Sequence, residues 1–317
     1  MKLKKLIIII GILIIAILYP FQSAEPIKYI NRESGELRTE KVLGEYWLNW
    51  LYSNPLGELS LELIVKRKIV SELYGNRMDS PESANKIDEF VKNYDIDISI
   101  AQKQIFDSFN DFFYRKLKEG SRSIDTSKYS ITSPADGKIL VYNNIDNQDF
   151  IVKGYRFNLN EFLQNEELAN EFKGGSLMIV RLCPTDYHRY HFPYAGSING
   201  GTDISGDYYS VSPLAIKKNI EIICINKRAY LEVENKDFGK YIIAEVGATM
   251  VGSIIRTYND KNIEKGEEMG YFKFGGSTII LIFPKDKITI DKDLIDNTIN
   301  GLETEVQMGE KIGRFHI

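Results

Sequence analysis

The spacing of apolar residues changes along the chain and divides it into three parts. An unbroken apolar run of about 16 residues follows a lysine-rich start. Between about residues 40 and 120, apolar side chains recur every three or four positions, which predicts helices. Beyond residue 121, short β-branched runs alternate with glycine and turn residues, which predicts strands. We expect an apolar leader (1–24), a helical region (25–125) and a β-rich domain (126–317).

The apolar leader is compatible with two fates. Its apolar run is shorter than the ~20 residues of a straight membrane-spanning helix. The basic start and the small residues Ser23 and Ala24 also fit a cleaved secretory signal, although Gln22 fits poorly before such a cut. We favour a retained anchor because the chemistry inferred below needs a lipid. Basic residues on both sides of the run leave its topology open: Lys2, Lys4 and Lys5 before it, and Lys28, Arg32, Arg38 and Lys41 after it.

Three helices are predicted in the middle region. The first covers 56–74, after a break at Asn54-Pro55, and stops at Gly75. The second starts where Ser80 caps a helix with Pro81 at its first position. The third covers about 105–117. These helices either pack on the core as a subdomain or present aromatic and basic residues to a membrane surface, and the sequence leaves both alternatives open.

The last two hundred residues contain five clear strand candidates, which together predict a sandwich- or barrel-like domain and an α+β fold overall. The sequence has no internal repeat, P-loop or G-x-G-x-x-G motif, so a nucleotide-binding fold is not indicated. The strand candidates are Lys138–Tyr142, Leu177–Leu182, Glu221–Ile225, Tyr241–Val246 and Thr278–Phe283.

Composition narrows the class of protein. The chain has 317 residues, 43% of them apolar and 26% charged, which is typical of a folded globular protein. Its net charge of -4 argues against binding to nucleic acid through phosphate contacts. The two cysteines, Cys183 and Cys224, are interpreted as buried thiols, since two cysteines are too few for a disulfide framework.

Three segments contain residues that are suited to catalysis. Asp136 lies in Ser-Pro-Ala-Asp-Gly-Lys, and taken alone it is a turn aspartate. His188 and His191 lie among aromatic residues, and Ser277 follows two glycines directly before a predicted strand. Together they provide an acid, a base and a hydroxyl, as required to activate a serine.

The glycine before the serine makes self-cleavage chemically compatible. Because Gly276 has no side chain, Ser277 Oγ can attack the preceding carbonyl and convert the peptide bond into an ester. Elimination of that ester breaks the chain and leaves dehydroalanine, and hydrolysis then gives ammonia and an N-terminal pyruvoyl group. A Ser-His-Asp hydrolase without self-cleavage and a non-enzymatic membrane scaffold remain alternatives. A metal at His188 and His191 with Cys183 or Asp186 is not expected, because the sequence shows no second ligand cluster.

Five segments, in order, resemble the phosphatidylserine decarboxylases, with the clostridial-type branch as the nearest match. The resemblance extends from about residue 26 to the end of the chain. The segments are Ser108–Leu117, Ser133–Lys138, Tyr187–His191, Val246–Ile254 and Gly275–Thr278. Gly275 stands where this family often has leucine.

The resemblance implies a role for each candidate residue. Asp136, His191 and Ser277 match a self-cleavage triad, and Gly276-Ser277 matches the bond that is cut. Ser277 then becomes the pyruvoyl cofactor, which forms a Schiff base with the substrate. His188 matches the histidine implicated in decarboxylation.

The resemblance also implies the activity and its setting. Phosphatidylserine would be converted to phosphatidylethanolamine and CO2 with no metal, at the cytoplasmic face of the cell membrane. The chains 1–276 and 277–317 would remain associated as partners, and a homodimer is compatible with the sequence. The basic cluster Lys66-Arg67-Lys68 is either a solvated helix edge or a contact for anionic head groups. His316 is expected at the surface.

Overall fold

The computed structural model describes residues 25–146, 157–219, 221–248 and 254–316, together with Lys4 and Gly11. The rest of the leader lies outside the described residues, and so do the predictions of an anchor or a signal. Among the residues described, none of the helices combines the length and the apolar character needed to span a bilayer.

The strands of the described residues form one ten-stranded sheet and two three-stranded sheets. In the large sheet the spatial order is β11-β7-β8-β9-β13-β5-β4-β15-β1-β2, and the small sheets have the orders β10-β12-β6 and β14-β16-β3. The strands are β1 (Lys28–Asn31), β2 (Leu37–Thr39), β3 (Ser130–Thr132), β4 (Gly137–Tyr142), β5 (Ser176–Leu182), β6 (Arg189–His191), β7 (Gly196–Ile204), β8 (Arg228–Asn235), β9 (Gly239–Val246), β10 (Ile254–Arg256), β11 (Asn262–Ile263), β12 (Glu268–Phe272), β13 (Ser277–Phe283), β14 (Ile288–Ile290), β15 (Glu303–Val306) and β16 (Lys311–Phe315).

Seven of the twelve helical segments in the described residues lie between residues 45 and 113. They are α1 (Glu45–Ser53), α2 (Pro55–Ser60), a π-helix (Leu61–Val65), α3 (Lys68–Asp79), a 3-10 helix (Pro81–Lys86), α4 (Ile87–Tyr94), α5 (Phe109–Phe113), α6 (Leu159–Leu163), α7 (Glu166–Glu171), α8 (Pro213–Lys218), α9 (Ile222–Ile225) and α10 (Lys292–Ile299). The predicted α+β class is confirmed. Within the described residues the large sheet is open and does not close into a barrel.

Strand β13 lies in the middle of the large sheet, between β9 and β5, and is buried along its whole length. Successive side chains of a strand point to opposite faces. Ile279 and Leu281 accordingly belong to the core shared with the small sheets, whereas Ile280 and Ile282 belong to the core on the helix side. This alternation places Ser277 on the small-sheet face and Thr278 on the helix face.

Four of the five strand candidates are confirmed within one or two residues, but the fifth is wrong. Residues 222–225 form helix α9, which ends at Asn226. A short apolar run cannot be assigned to strand or helix by periodicity alone. Here Arg228 favours the helix, because its guanidinium donates to the carbonyl of Cys224 at 2.5 Å. Carbonyl groups in the last turn of a helix have no partner within the helix and need such a donor.

The predicted helix over 56–74 is interrupted. Residues 61–65 form the π-helix, and Arg67 has an extended backbone (φ -78, ψ 140). The interruption occurs where Lys66 Nζ turns towards Glu62, Tyr209 and Asp207, at 2.7, 2.7 and 3.1 Å. The predicted stop at Gly75 is wrong, since α3 continues to Asp79 before Ser80-Pro81. The predicted positions of the cap at Ser80 and of the break at Asn54 are confirmed, since each residue precedes the start of a new helical segment.

The third predicted helix is much shorter than expected, because only Phe109–Phe113 is α-helical. Ser108 accepts a hydrogen bond from the amide of Asp111 and so fixes the start of this helix.

Strands β1 and β2 of the 25–125 region join the large sheet, where β1 pairs with β15. The division into 1–24, 25–125 and 126–317 stays a prediction.

Candidate active site

A turn of four residues, 273–276, leads from β12 into β13 and is held by its aromatic residue. The Phe274 amide donates to Asn110 Oδ1 at 2.7 Å, and its ring lies 5.0 Å from that of Phe113. Gly275 has a φ of +135, a conformation that glycine adopts readily. A Cβ on Gly276 would lie 3.3 Å from Val211, which is tighter than ordinary packing. Both glycines therefore suit the turn.

Ser277 opens the central strand with a buried hydroxyl. The residue has no exposed surface. Its Oγ also has no hydrogen-bond partner among the described residues. A buried hydroxyl without a partner costs about 1–3 kcal/mol, so the fold retains a reactive group at a cost in stability.

His188 lies beside this turn, fully buried, with its ring centre 3.8 Å from that of Phe113 and the two rings tilted by 32°. Its Nδ1 is 3.0 Å from the carbonyl oxygen of Asp186. Because a carbonyl only accepts, Nδ1 must carry the proton and Nε2 the lone pair. Within the described part of the chain, Nε2 has no partner. Burial lowers the pKa of His188 to about 4, while the backbone of Asp186 and Gly275 acts in the opposite direction. His188 is therefore a neutral base next to the turn.

Acid is expected to destabilise the fold through His188. The unfolded chain binds a proton at this residue near pH 6.5, whereas the folded chain binds it only near pH 4. The folded state thus loses stability as the pH falls from 6.5 towards 4, by roughly 2–3 kcal/mol at pH 4.5. Urea unfolding of an uncleavable Ser277→Ala chain at pH 7.5 and pH 4.5 measures this loss. The same chain with His188→Gln is the control, and an equal loss in both would contradict the prediction.

Asp136 and His191 are neighbours, but their side chains make no direct hydrogen bond in the described structure. The Asp136 carboxylate accepts from Arg122 Nε and Nη2, at 2.9 and 2.5 Å, and from the Met308 amide at 2.8 Å. His191 Nδ1 lies 3.0 Å from the Gly266 carbonyl, and Nε2 lies 3.4 Å from Tyr187 Oη. Burial lowers the pKa of His191, and the charge of Asp136 partly opposes that effect.

Sequence reasoning missed three residues of this site, namely Arg115, Arg122 and Tyr187. Arg115 and Tyr187 belong to the segments Ser108–Leu117 and Tyr187–His191. Because both segments resemble the family, the sequence did contain a signal for these two residues. Arg122 had no such signal, because its role depends on the chain folding back onto Asp136. Cys183 is buried as predicted, whereas Cys224, also predicted to be buried, is half-buried; neither forms a disulfide within the described residues.

An apolar cavity of about 690 Å³ reaches the turn from the helix side. Its lining includes Gly275 and Gly276 together with side chains of α1, the π-helix and α4, such as Trp47, Leu61 and Phe90. The cavity leads from the helical region to the bond before Ser277.

A polar cleft of about 1270 Å³ lies on the other side of the site. Asp136, Tyr187 and Arg115 line it, while Glu40 and Tyr94 line both the cleft and the apolar cavity. An apolar and a polar space that share a wall suit an amphipathic ligand.

Comparison with known proteins gives consistent results. A family model described as phosphatidylserine decarboxylase matches residues 109–314. A protein of Fusobacterium nucleatum named phosphatidylserine decarboxylase proenzyme is 53% identical over 293 residues, which cover 91% of this chain and 98% of that protein. Proteins with the same name from Clostridium perfringens (strain SM101) and Desulfitobacterium hafniense are each 46% identical, over 90% and 92% of this chain and 99% of their own lengths.

Proposed function

The chain belongs to the phosphatidylserine decarboxylase family, and we propose that it converts phosphatidylserine to phosphatidylethanolamine and CO2 after cutting itself between Gly276 and Ser277. The observation that carries the proposal is the buried hydroxyl of Ser277, which has no partner in the described part of the chain and follows two glycines at the start of a central strand. The word proenzyme in the names of the relatives supports a cleaved precursor. The family does not favour a hydrolase without self-cleavage or a non-enzymatic scaffold.

Self-cleavage requires Ser277 to lose a proton and attack the carbonyl of Gly276. We assign His191 as the base, as the family resemblance implies. Its Nδ1 donates to the Gly266 carbonyl, so Nε2 has the lone pair needed for this step. Asp136 would act on His191 through its negative charge, since Arg122 and the Met308 amide occupy its oxygens.

Cleavage would leave Ser277 as a pyruvoyl group, whose carbonyl supplies an electron sink for loss of the substrate carboxylate. The residues fit such a group, because within the described structure Ser277 Oγ has no competing hydrogen bond and the preceding residue, Gly276, has no side chain. His188 Nε2 can take a proton from the substrate amine and return it at the α-carbon. Its low pKa makes the protonated ring a strong donor.

The contacts support association of the two products of cleavage, 1–276 and 277–317. Strand β13 pairs with β5 and β9, and β15 pairs with β1 and β4, so the short chain is inserted into the large sheet. Arg32 adds an ionic contact, because its guanidinium meets three carboxylates of the short chain, those of Asp291, Asp293 and Glu310.

The helices support the proposal of a membrane-associating surface. Large apolar side chains of the helical region remain exposed, by 40% to 68%, where a packed subdomain would bury them. We call them the exposed apolar face: Trp47, Leu56, Leu59, Leu63, Ile64, Ile69 and Leu73. Of the basic cluster, Lys66 is bound to Glu62 and Asp207 and Lys68 to Glu72. Arg67 donates only to backbone carbonyls in the described structure, so it is the residue left for anionic head groups.

Changing Leu63 and Ile64 together to aspartate is expected to weaken binding to vesicles by about tenfold or more. The reason is that two exposed apolar side chains are lost and two charges are added that anionic lipid repels. Sedimentation with phosphatidylserine vesicles measures the effect, and activity on detergent-dispersed substrate should fall much less.

The control for this variant is Ile299→Asp, because Ile299 is 74% exposed at the end of α10 and outside the exposed apolar face. Equal vesicle binding by all three proteins would argue that the helices do not form the membrane contact.

The direct test of the proposed function is to incubate the purified protein with phosphatidylserine in mixed micelles. Release of CO2 with formation of phosphatidylethanolamine is expected. Intact mass should show a 41-residue C-terminal fragment (317 minus 276) that starts with a pyruvoyl group. A whole chain without activity would reject the proposal.

A further inference from the structure

Arg115 differs from the other buried arginines of the described residues. It is only 6% exposed, its Nε has no hydrogen-bond partner, and its Nη1 makes one long contact of 3.4 Å to the Phe112 carbonyl. By comparison, Arg181 binds two carboxylates, and Arg228 is satisfied by backbone carbonyls. Within the described chain, no carboxylate lies within 4.0 Å of Arg115. A buried cation without an anion is costly, so such a residue indicates a ligand.

The carboxylates nearest to Arg115 are already engaged by other groups. Asp136 is held by Arg122 and the Met308 amide. Asp186 accepts from the Cys183 amide at 2.8 Å and lies 3.4 Å from Lys138 Nζ. Burial lowers the pKa of Arg115, and the charges of Asp136 and Asp186 only partly oppose it. The guanidinium therefore keeps capacity for a further anion.

Arg115 lies where an anion bound to it would be near the candidate active site. The guanidinium carbon lies 4.9 Å from the centre of the Phe112 ring, which fixes the side chain, and the residue lines the polar cleft. Its charge also acts on His188, the neutral base beside the turn. An anion bound by Arg115 would therefore lie in the polar cleft, within the range over which the Arg115 charge acts on His188.

The substrate offers two anions, and the chemistry favours one of them. The carboxylate of phosphatidylserine loses its charge as CO2 leaves, so a cation bound to it would stabilise the ground state and slow the reaction. The phosphate diester keeps its charge throughout, and the planar guanidinium suits two of its oxygens.

We propose that Arg115 binds the phosphate diester of the lipid head group in the polar cleft. This inference rests on the proposed decarboxylase function and names the phosphate subsite of that same site. The cleft and the apolar cavity share Glu40 and Tyr94 as lining residues, so a polar and an apolar space lie next to each other, as the head group and the acyl chains of one lipid require.

The test compares Arg115→Gln, Arg115→Lys and the wild type, with Lys116→Gln as the matched control. Lys116 is the adjacent residue, carries the same charge and is exposed. KM and kcat for phosphatidylserine in mixed micelles are measured per cleaved chain, with cleavage determined by intact mass. We expect KM to rise about tenfold or more in Arg115→Gln, with kcat within about threefold, since one charge-assisted contact is lost. The KM of Arg115→Lys should lie between those of Arg115→Gln and the wild type. Lys116→Gln should have the KM and kcat of the wild type.

Inhibition by the product separates the two anions, because phosphatidylethanolamine keeps the phosphate and lacks the carboxylate. If Arg115 holds the phosphate, the inhibition constant of phosphatidylethanolamine rises in Arg115→Gln by about the same factor as KM. An unchanged inhibition constant would assign Arg115 to the carboxylate and overturn the proposal, as would an unchanged KM. If Arg115→Gln does not fold, Arg115→Lys decides by the same two measurements. An inactive but cleaved wild type would instead reject the decarboxylase function itself.

Discussion

Replacement of Ser277 by alanine is expected to leave the chain whole and to abolish decarboxylation. Without Oγ, the carbonyl of Gly276 has no internal nucleophile, so neither the 41-residue fragment nor a pyruvoyl group can form. The fold should be retained, because Ser277 Oγ has no hydrogen-bond partner among the described residues and its removal costs no contact. Intact mass under denaturing conditions and CO2 release measure the two effects.

Thr278→Val is the matched control for Ser277→Ala. Thr278 is also buried, its Oγ1 also has no described partner, and the side chain points to the opposite face of β13. Replacing an unpaired buried hydroxyl by a methyl group is nearly neutral or stabilising. This variant should therefore cleave and react like the wild type. Cleavage of Ser277→Ala at the same bond would show that another group attacks the carbonyl, and the self-cleavage proposal would have to be abandoned.

The candidate segments could be identified in the sequence because each contains unusual residues in a short stretch. Two glycines before Ser277 predicted a turn that enters a strand, and the apolar run behind it predicted β13. The limits are physical. Asp136 was expected to orient His191, but Arg122 binds the carboxylate from a loop whose approach no local pattern encodes. Tyr187 Oη lies 3.4 Å from His191 Nε2, the nitrogen that the triad would use to accept the proton of Ser277.

The helical region illustrates a different limit. The periodicity of its apolar residues indicated helices and could not say what covers them, since a face that packs on a core and a face that meets a membrane have the same spacing. Lys66 decides the local geometry through Glu62, Asp207 and Tyr209, and the last two are more than 140 positions away. The break in the predicted helix therefore depends on tertiary contacts.

His188→Gln and His191→Gln are expected to fail at different stages. His191→Gln should remain largely whole, because the base for Ser277 is lost, whereas His188→Gln should cleave and then decarboxylate slowly. General acid-base catalysis contributes typically 10²–10⁴-fold, and we expect losses of this size in the cleavage rate and in CO2 release per pyruvoyl group, respectively. Time courses of intact mass and of CO2 release separate the stages. His316→Gln, at an exposed histidine, is the control.

The geometry makes this comparison decisive for the roles of the two histidines. In the uncleaved chain, Nε2 of His188 has no partner among the described residues, and the backbone of Gly275 acts on the pKa of this histidine. Nε2 of His191, in contrast, lies 3.4 Å from Tyr187 Oη. For His191 to serve as the base, Tyr187 must release that nitrogen or pass the proton on. If His188→Gln stays whole while His191→Gln matures, the free nitrogen is the base and the assignment from the family order is reversed. If the stages separate as expected, the contact with Tyr187 must break or act as a relay before Ser277 attacks.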